Sequence, residues 1–80
     1  MPKPENVRML ERRLHRAERR FATAERLVVR QAATLEKVVR SGSDPTALSA
    51  AEELLAMFQT SLDLARDDLR REREVQGMRP

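Results

Sequence analysis

The sequence predicts an all-α protein built as a single two-helix antiparallel hairpin. Two runs of apolar residues, spaced alternately by three and four, carry this prediction, and a short segment rich in Ser, Gly and Pro separates them. Such spacing is typical of helices that bury one narrow stripe against another helix. Aromatic residues, which favour strands, are scarce, since the 80 residues include no Trp, no Tyr and two Phe.

The two apolar stripes, together called the seam here, contain only two polar residues, Gln31 and Glu72. The seam comprises Val7, Leu10, Leu14, Ala17, Phe21, Ala24, Val28, Gln31, Leu35 and Val38, then Leu48, Ala51, Leu55, Phe58, Leu62, Ala65, Leu69 and Glu72. A buried polar seam residue can fix register and oligomeric state, but the long Gln31 side chain can also reach solvent, and both interpretations are open. Glu72 is expected to be exposed near the open end of the hairpin.

The turn predicted at residues 41–45 is the best-specified local element. Gly42 suits the left-handed position that follows a helix, and Asp44 before Pro45 suits an N-cap followed by the first helical residue. We therefore predict one domain over residues 1–80, with helix 1 over about 5–40, helix 2 over about 46–75 and short disordered tails.

The short turn also predicts the register, because it forces the two long helices to run antiparallel. A turn centred near Gly42 pairs residues whose numbers add to about 86. Three pairs of opposite charge then flank the seam, namely Glu11 with Arg73, Glu18 with Arg66 and Arg20 with Asp68. Each exposed pair contributes only about 0–1 kcal/mol, so these pairs support the register more than the stability.

Apolar residues outside the seam predict a second packing surface. The hairpin partner cannot cover this additional stripe, and so small a domain gains little core by itself. We expect a C2 homodimer that forms a four-helix bundle, with contacts centred on about residues 27–39 and 47–64. The interface candidates are Leu27, Gln31, Val39, Ala50, Leu54, Met57 and Leu64. A different protein partner, or tolerated surface residues, are the alternatives, and the relative orientation of the hairpins is open.

No constellation of residues in the sequence points to catalysis. The chain has no Cys and a single His, His15, so neither a metal site nor a nucleophile–base pair has candidates. A glycine-rich phosphate loop is missing, and the neighbouring pairs Glu52-Glu53 and Asp67-Asp68 point about 100° apart on a helix. We expect no catalytic, cofactor-binding or metal-binding residues, and no enzyme.

Charge is distributed unevenly along the chain, which has a formal net charge of +3. Residues 5–40 hold nine Arg and one Lys against five Glu, a balance of +5, whereas residues 46–75 hold four Arg against seven acidic residues, a balance of −3. The chain has 14 Arg but only two Lys. This excess of Arg is consistent with phosphate binding, and it is equally consistent with the codon usage of a GC-rich genome.

The alternative function is that of a small basic nucleic-acid-binding or regulatory protein that uses the outer face of helix 1. Its anion-binding candidates are Arg12, Arg16, Arg19, Arg26 and Arg30, which could neutralise phosphates. Glu11, Glu18 and Glu25 interleave with these arginines, and no aromatic residue is available for base stacking. The sequence therefore favours the homodimer.

The sequence contains neither a signal peptide nor an apolar run near the roughly 20 residues of a membrane span. We therefore expect a cytoplasmic protein without a membrane partner.

Several short motifs resemble those of a group of short helical proteins from rhizobia and related alphaproteobacteria. The resemblance is carried by Ala17-Glu18-Arg19, Glu25-Arg26, Arg30-Gln31, Gly42, Asp44, Leu54-Leu55, Phe58 and Leu64. It implies a helical hairpin of no assigned function and a bacterial cytoplasmic origin, although members usually have His where this chain has Arg20 and Leu27. The Arg-rich first helix also loosely resembles that of helical chorismate mutases, but we expect no such activity because the further helices of their active site are missing.

Overall fold

The structure, a computed structural model, describes residues 4–42 and 44–78 and consists of two helices. Helix α1 spans Pro4–Ser41 and helix α2 spans Pro45–Gly77. The two pack along their length as an antiparallel hairpin of 62 × 14 × 14 Å, which confirms the predicted fold class. Each helix reaches one or two residues beyond its predicted bounds. The tails at 1–3 and 79–80, and residue 43 of the turn, lie outside the described residues.

The turn has the local chemistry that its residues predict. Gly42 adopts a φ of +64°, a conformation open to glycine at little cost, and its N–H donates to the Val39 carbonyl at 3.3 Å. Asp44 is extended, and its Oδ1 accepts a hydrogen bond from the Ala47 N–H at 2.8 Å. Pro45 follows as the first residue of α2. The reversal therefore ends one helix and starts the next within a few residues.

Replacing Asp44 with alanine is expected to lower the free energy of unfolding by about 1 kcal/mol, because the first turn of α2 loses its side-chain cap. Urea unfolding followed by circular dichroism at a fixed protein concentration measures this change. Asp44→Asn is the matched control and should retain most of the stability, since its amide oxygen can still accept from the Ala47 N–H. Equal losses in the two variants would contradict a capping role.

The core between the helices is thin. The buried apolar residues are Ala17, Ala24, Ala51 and Leu69, and among the described residues no large side chain is completely buried. The larger seam residues, such as Phe21, Leu35 and Phe58, are only half-buried. Two helices can enclose a single line of side chains, so the hairpin alone leaves much of its apolar surface accessible.

Gln31 lies inside the hairpin. Its side chain is buried, and its Nε2 donates to the Ala51 carbonyl oxygen at 3.1 Å across the helix interface. Of the two open interpretations, the structure supports a buried polar seam residue that ties α1 to α2. A hydrogen bond to one particular carbonyl favours one register over its neighbours.

The expectation that Glu72 is exposed is wrong. Glu72 is buried, and its Oε1 accepts from Arg13 Nη2 at 2.9 Å and from Arg13 Nε at 3.2 Å. Gln76 packs one turn further along and donates from Nε2 to the Leu10 carbonyl at 2.9 Å. The seam thus stays closed near the chain ends because the Arg13 guanidinium compensates the carboxylate charge.

The pairs that join the helices agree with the predicted register, although not every predicted ion pair forms. The interhelical pairs of Gln31, Arg13, Gln76 and Arg20 have residue numbers that add to between 82 and 88. Arg20 lies 3.8 Å from Asp68, as predicted. Within the described residues neither of the other two predicted pairs forms; Arg66 instead pairs with Asp63 at 3.6 Å and lies 6.0 Å from the centre of the Phe21 ring.

Candidate interaction surface

The hairpin has two broad faces, one on each side of the seam. The Arg20–Asp68 pair crosses one of them, and Arg66 packs over Phe21 on the other. A groove between α1 and α2 runs along the first face. Its lining residues are Arg16, Arg19, Arg20, Thr23, Ala24, Leu27, Ser61, Leu64, Ala65 and Asp68. The groove brings Leu27 of α1 and Leu64 of α2 onto one surface.

We call the turn-proximal part of this first face the apolar face, and it consists of Leu27, Ala50, Leu54, Met57 and Leu64. Leu54 is 40% exposed, Met57 65% and Leu64 64%. Leu27 is half-buried and Ala50 is exposed. The three-residue and four-residue spacing of the α2 members places them on one side of that helix. The hairpin therefore presents an apolar strip, interrupted on α2 by Ser61, that neither helix covers.

The other two predicted interface residues lie elsewhere. Gln31 is enclosed in the seam, where its amide is engaged with Ala51. Val39 is 61% exposed, but it stands a multiple of seven residues from Glu11, Glu18 and Glu25 and so shares their side of α1, away from the apolar face. The heptad position could have separated Val39 from Leu27 at the sequence level, since the two flank the seam on opposite sides.

Charged residues of both signs border the apolar face on the side of the chain ends. Arg16 and Arg20 line the groove from α1, and Asp68 lines it from α2. The Arg20–Asp68 distance of 3.8 Å and the exposure of both side chains make this a loose pair. Its contribution to hairpin stability is therefore small, roughly 0–1 kcal/mol, and both groups remain accessible from outside.

The predicted anion-binding arginines form a second surface feature along the outer edge of α1. Arg12, Arg16, Arg19, Arg26 and Arg30 are all exposed, and with Lys37 and Arg40 they make up what we call the basic ridge. Arg12, Arg16 and Arg19 line one surface depression, and Arg26 and Arg30 line another. No acidic residue among those described lines either depression.

The glutamates that interleave with this ridge in sequence project to a different side of α1, although Glu11 lines one depression together with Arg8, Arg12 and His15. Glu11, Glu18 and Glu25 project about 100–160° away from the ridge arginines, because an α-helix turns by about 100° per residue. None of the five arginines forms an ion pair with a carboxylate of the described chain. The helix geometry therefore turns Glu18 and Glu25 away from the arginine row, whereas Glu11 borders the row at Arg12.

Within residues 4–42 and 44–78, no group of three or more His, Cys, Asp or Glu side chains is arranged to hold a metal ion. Neither helix over its described length is both long and apolar enough to cross a membrane. His15 is exposed and lies beside Arg12 and Arg16. The apolar face and the basic ridge are thus the two surface features that bear on function.

Comparison with protein families, with curated proteins and with solved structures finds no match to this chain.

Proposed function

We propose that this protein is a non-enzymatic structural and protein-interaction module that self-associates through its apolar face. Two hairpins pack with these faces together and form a four-helix bundle with C2 symmetry. The observation that carries the proposal is the exposure of Leu54, Met57 and Leu64 on one side of α2. A strip of this kind is typical of an interface.

The weakness of the isolated core supports the same proposal. Complete burial of a large apolar side chain contributes about 1.5–3 kcal/mol relative to exposure, yet no described large side chain is fully buried in the single hairpin. A second hairpin laid over the apolar face would bury Leu54, Met57 and Leu64 from each copy and cover Leu27 further. The dimer therefore gains the core that an 80-residue hairpin lacks.

The composition of the face favours a second copy over an unrelated partner. Large and small side chains both occur along the strip, with Leu54, Met57 and Leu64 beside Ala50 and Ser61, so a large side chain of one copy can pack against a small one of the other. The border also carries both signs of charge, from Arg20 and Asp68. A surface that is complementary to itself in shape and charge meets the requirement of an isologous interface.

Light scattering coupled to size-exclusion chromatography tests the proposal directly. At about 10 μM and above, well within the range of ordinary homodimer affinities, we expect a mass equal to two chains of 9.2 kDa. Refractive-index detection is needed because the chain has no Trp or Tyr. A single 9.2-kDa species up to about 200 μM would contradict self-association and leave the apolar face to a different protein.

The absence of catalysis, the bacterial origin and the cytoplasmic location belong to this proposal as well. A bundle of two hairpins presents long, parallel outer helix surfaces, which suits a scaffold or adaptor. The residues that would carry this role in self-association are Leu27, Ala50, Leu54, Met57 and Leu64.

A further inference from the structure

We propose that the basic ridge of α1 binds the phosphate backbone of double-stranded nucleic acid without sequence preference. The ridge consists of Arg12, Arg16, Arg19, Arg26, Arg30, Lys37 and Arg40. This inference goes beyond self-association and does not depend on it, because the ridge follows the outer edge of one helix. Three properties of the ridge favour such a ligand: its segregated positive charge, its exposed guanidinium groups and its length.

Among the described residues, acidic side chains meet the ridge at its two ends, where Glu11 lies beside Arg12 and Glu36 lies beside Arg40. The ridge positions recur every three or four residues, and the intervening ones are Thr23 and Ala33. Glu18 and Glu25 project to another side of α1, and Glu36 pairs with Arg40 at 2.7 Å. Positive potential therefore adds up along this edge, although the net charge of the chain is only +3.

Five ridge guanidinium groups, those of Arg12, Arg16, Arg19, Arg26 and Arg30, form no ion pair within the described residues and are available to a ligand, whereas Arg40 is paired with Glu36. Arg12 Nε makes a long contact of 3.4 Å with the Arg8 carbonyl, and Arg26 Nη2 makes one of 3.4 Å with Thr23 Oγ1. Both are weak and exposed. Guanidinium forks match phosphate oxygens in a bidentate manner, so exchanging these contacts for phosphate is favourable.

The ridge also matches a nucleic-acid duplex in length and shape. From residue 12 to residue 40 the ridge extends about 42 Å, at about 1.5 Å per residue, which equals roughly twelve base pairs of duplex at about 3.4 Å each. A straight helix lying along a duplex can contact the phosphates of one strand over part of this length. We expect about four phosphate contacts, and hence a slope of log K against log salt near −4.

The composition of the ridge argues against the other polyanions. Single-stranded nucleic acid is held partly by stacking on aromatic side chains, but both Phe residues, Phe21 and Phe58, belong to the seam and are half-buried. Insertion into an anionic membrane requires an accessible apolar face on the charged helix, and the apolar stripe of α1 is packed against α2. A rigid, regularly charged duplex backbone is the ligand that remains.

Fluorescence anisotropy with a labelled 24-base-pair duplex at about 50–200 mM KCl tests the proposal. The wild-type protein should bind with micromolar affinity at the lowest salt and weaken with a slope near −4. Changing Arg12, Arg19 and Arg26 together to Gln should weaken binding at least about tenfold at 50 mM KCl and reduce the slope by about 2–3. Circular dichroism verifies that the variant is still helical.

The matched control changes Arg66, Arg70 and Arg73 of α2 to Gln. This variant has the same net charge as the ridge variant, but its substitutions lie on the opposite face around Phe21 and Leu69. It should lose less than about threefold in affinity, with an unchanged slope. Equal losses in the two variants would show attraction by net charge alone and overturn the assignment to the ridge.

Two other probes decide the class of ligand. Poly-glutamate and vesicles with about 30% anionic lipid should bind at least about tenfold more weakly than the duplex at equal salt. Tighter binding of poly-glutamate would point to an acidic protein, and tighter binding of vesicles would point to a membrane surface; either result overturns the proposal. Lack of wild-type binding to the duplex at 50 mM KCl overturns it as well.

Discussion

Replacing Leu54 and Met57 together with glutamate is expected to convert the dimer into separate hairpins. Both side chains are exposed on the apolar face of the hairpin, at 40% and 65%, so the substitutions do not disturb the seam. In the dimer they would place four carboxylates in the interface, where burying an uncompensated charge is strongly unfavourable. We expect dimer affinity to fall by at least about a thousandfold, which corresponds to about 4 kcal/mol.

Light scattering over a range of protein concentrations measures this change, and circular dichroism reports whether the helices remain. The matched control is Val29→Glu with Val39→Glu, which removes two apolar side chains that are 68% and 61% exposed and adds the same charge. Val39 lies on the other side of the seam from the apolar face, and Val29 projects about 160° around α1 from Leu27, so the control should stay dimeric.

The two variants also distinguish among the possible outcomes. If the Leu54 and Met57 variant stays dimeric, the interface lies elsewhere on the hairpin. If the valine control dissociates instead, the surface shared with Glu11, Glu18 and Glu25 is the contact. If the Leu54 and Met57 variant loses its helices, the hairpin depends on its partner for folding, and the milder variant Met57→Gln should then weaken the dimer while the helices persist.

Replacing Glu72 with leucine is expected to stabilise the hairpin by about 1–2 kcal/mol, and to raise its melting temperature by roughly 5–15 °C. Glu72 is buried in the seam, and its Oε2 has no hydrogen-bond partner. Leucine at this position would extend the apolar stripe, and the released Arg13 side chain, already 45% exposed, could turn to solvent. Thermal unfolding by circular dichroism at one fixed protein concentration measures the difference.

Removing the other member of this ion pair, Arg13, is expected to destabilise the hairpin. Arg13→Gln removes the group that donates two hydrogen bonds to Glu72 Oε1 and leaves a buried carboxylate uncompensated. We expect a loss of about 1–3 kcal/mol. Glu74→Leu is the control for added hydrophobicity, because Glu74 is exposed and its replacement should change stability by less than about 0.5 kcal/mol. A destabilised Glu72→Leu variant would contradict this account.

The periodicity of apolar residues was sufficient to predict the fold, because both halves of the chain carry the same kind of apolar stripe. A stripe at three-residue and four-residue spacing must be buried, and a tight turn at Gly42 and Asp44 leaves only the antiparallel arrangement. The N-cap hydrogen bond of Asp44 and the positive φ of Gly42 follow from local chemistry alone. These elements depend on neighbours within a few residues, and sequence reasoning handles such neighbours well.

The candidate surfaces were only partly predictable. The α2 members of the apolar face follow from spacing, and the heptad position separates Val39 from Leu27, but which flank of α1 lies beside which flank of α2 depends on how the two helices pack. The arginine row was visible in the sequence, whereas its separation from Glu18 and Glu25 depends on angles around the helix. The arginines and glutamates alternate along the sequence, but they lie on different sides of the helix.

The two helices, their turn and their approximate register could be predicted from the chain alone, because they follow from the spacing of apolar residues and from local hydrogen bonding. Which polar groups are enclosed depends on how the helices pack against each other. Gln31 is buried because Ala51 offers a carbonyl oxygen opposite it, and Glu72 is buried because Arg13 lies across the interface. Whether a polar side chain can be buried depends on its hydrogen-bonding partner in space. That partner is 20 residues away in the sequence for Gln31 and 59 residues away for Glu72.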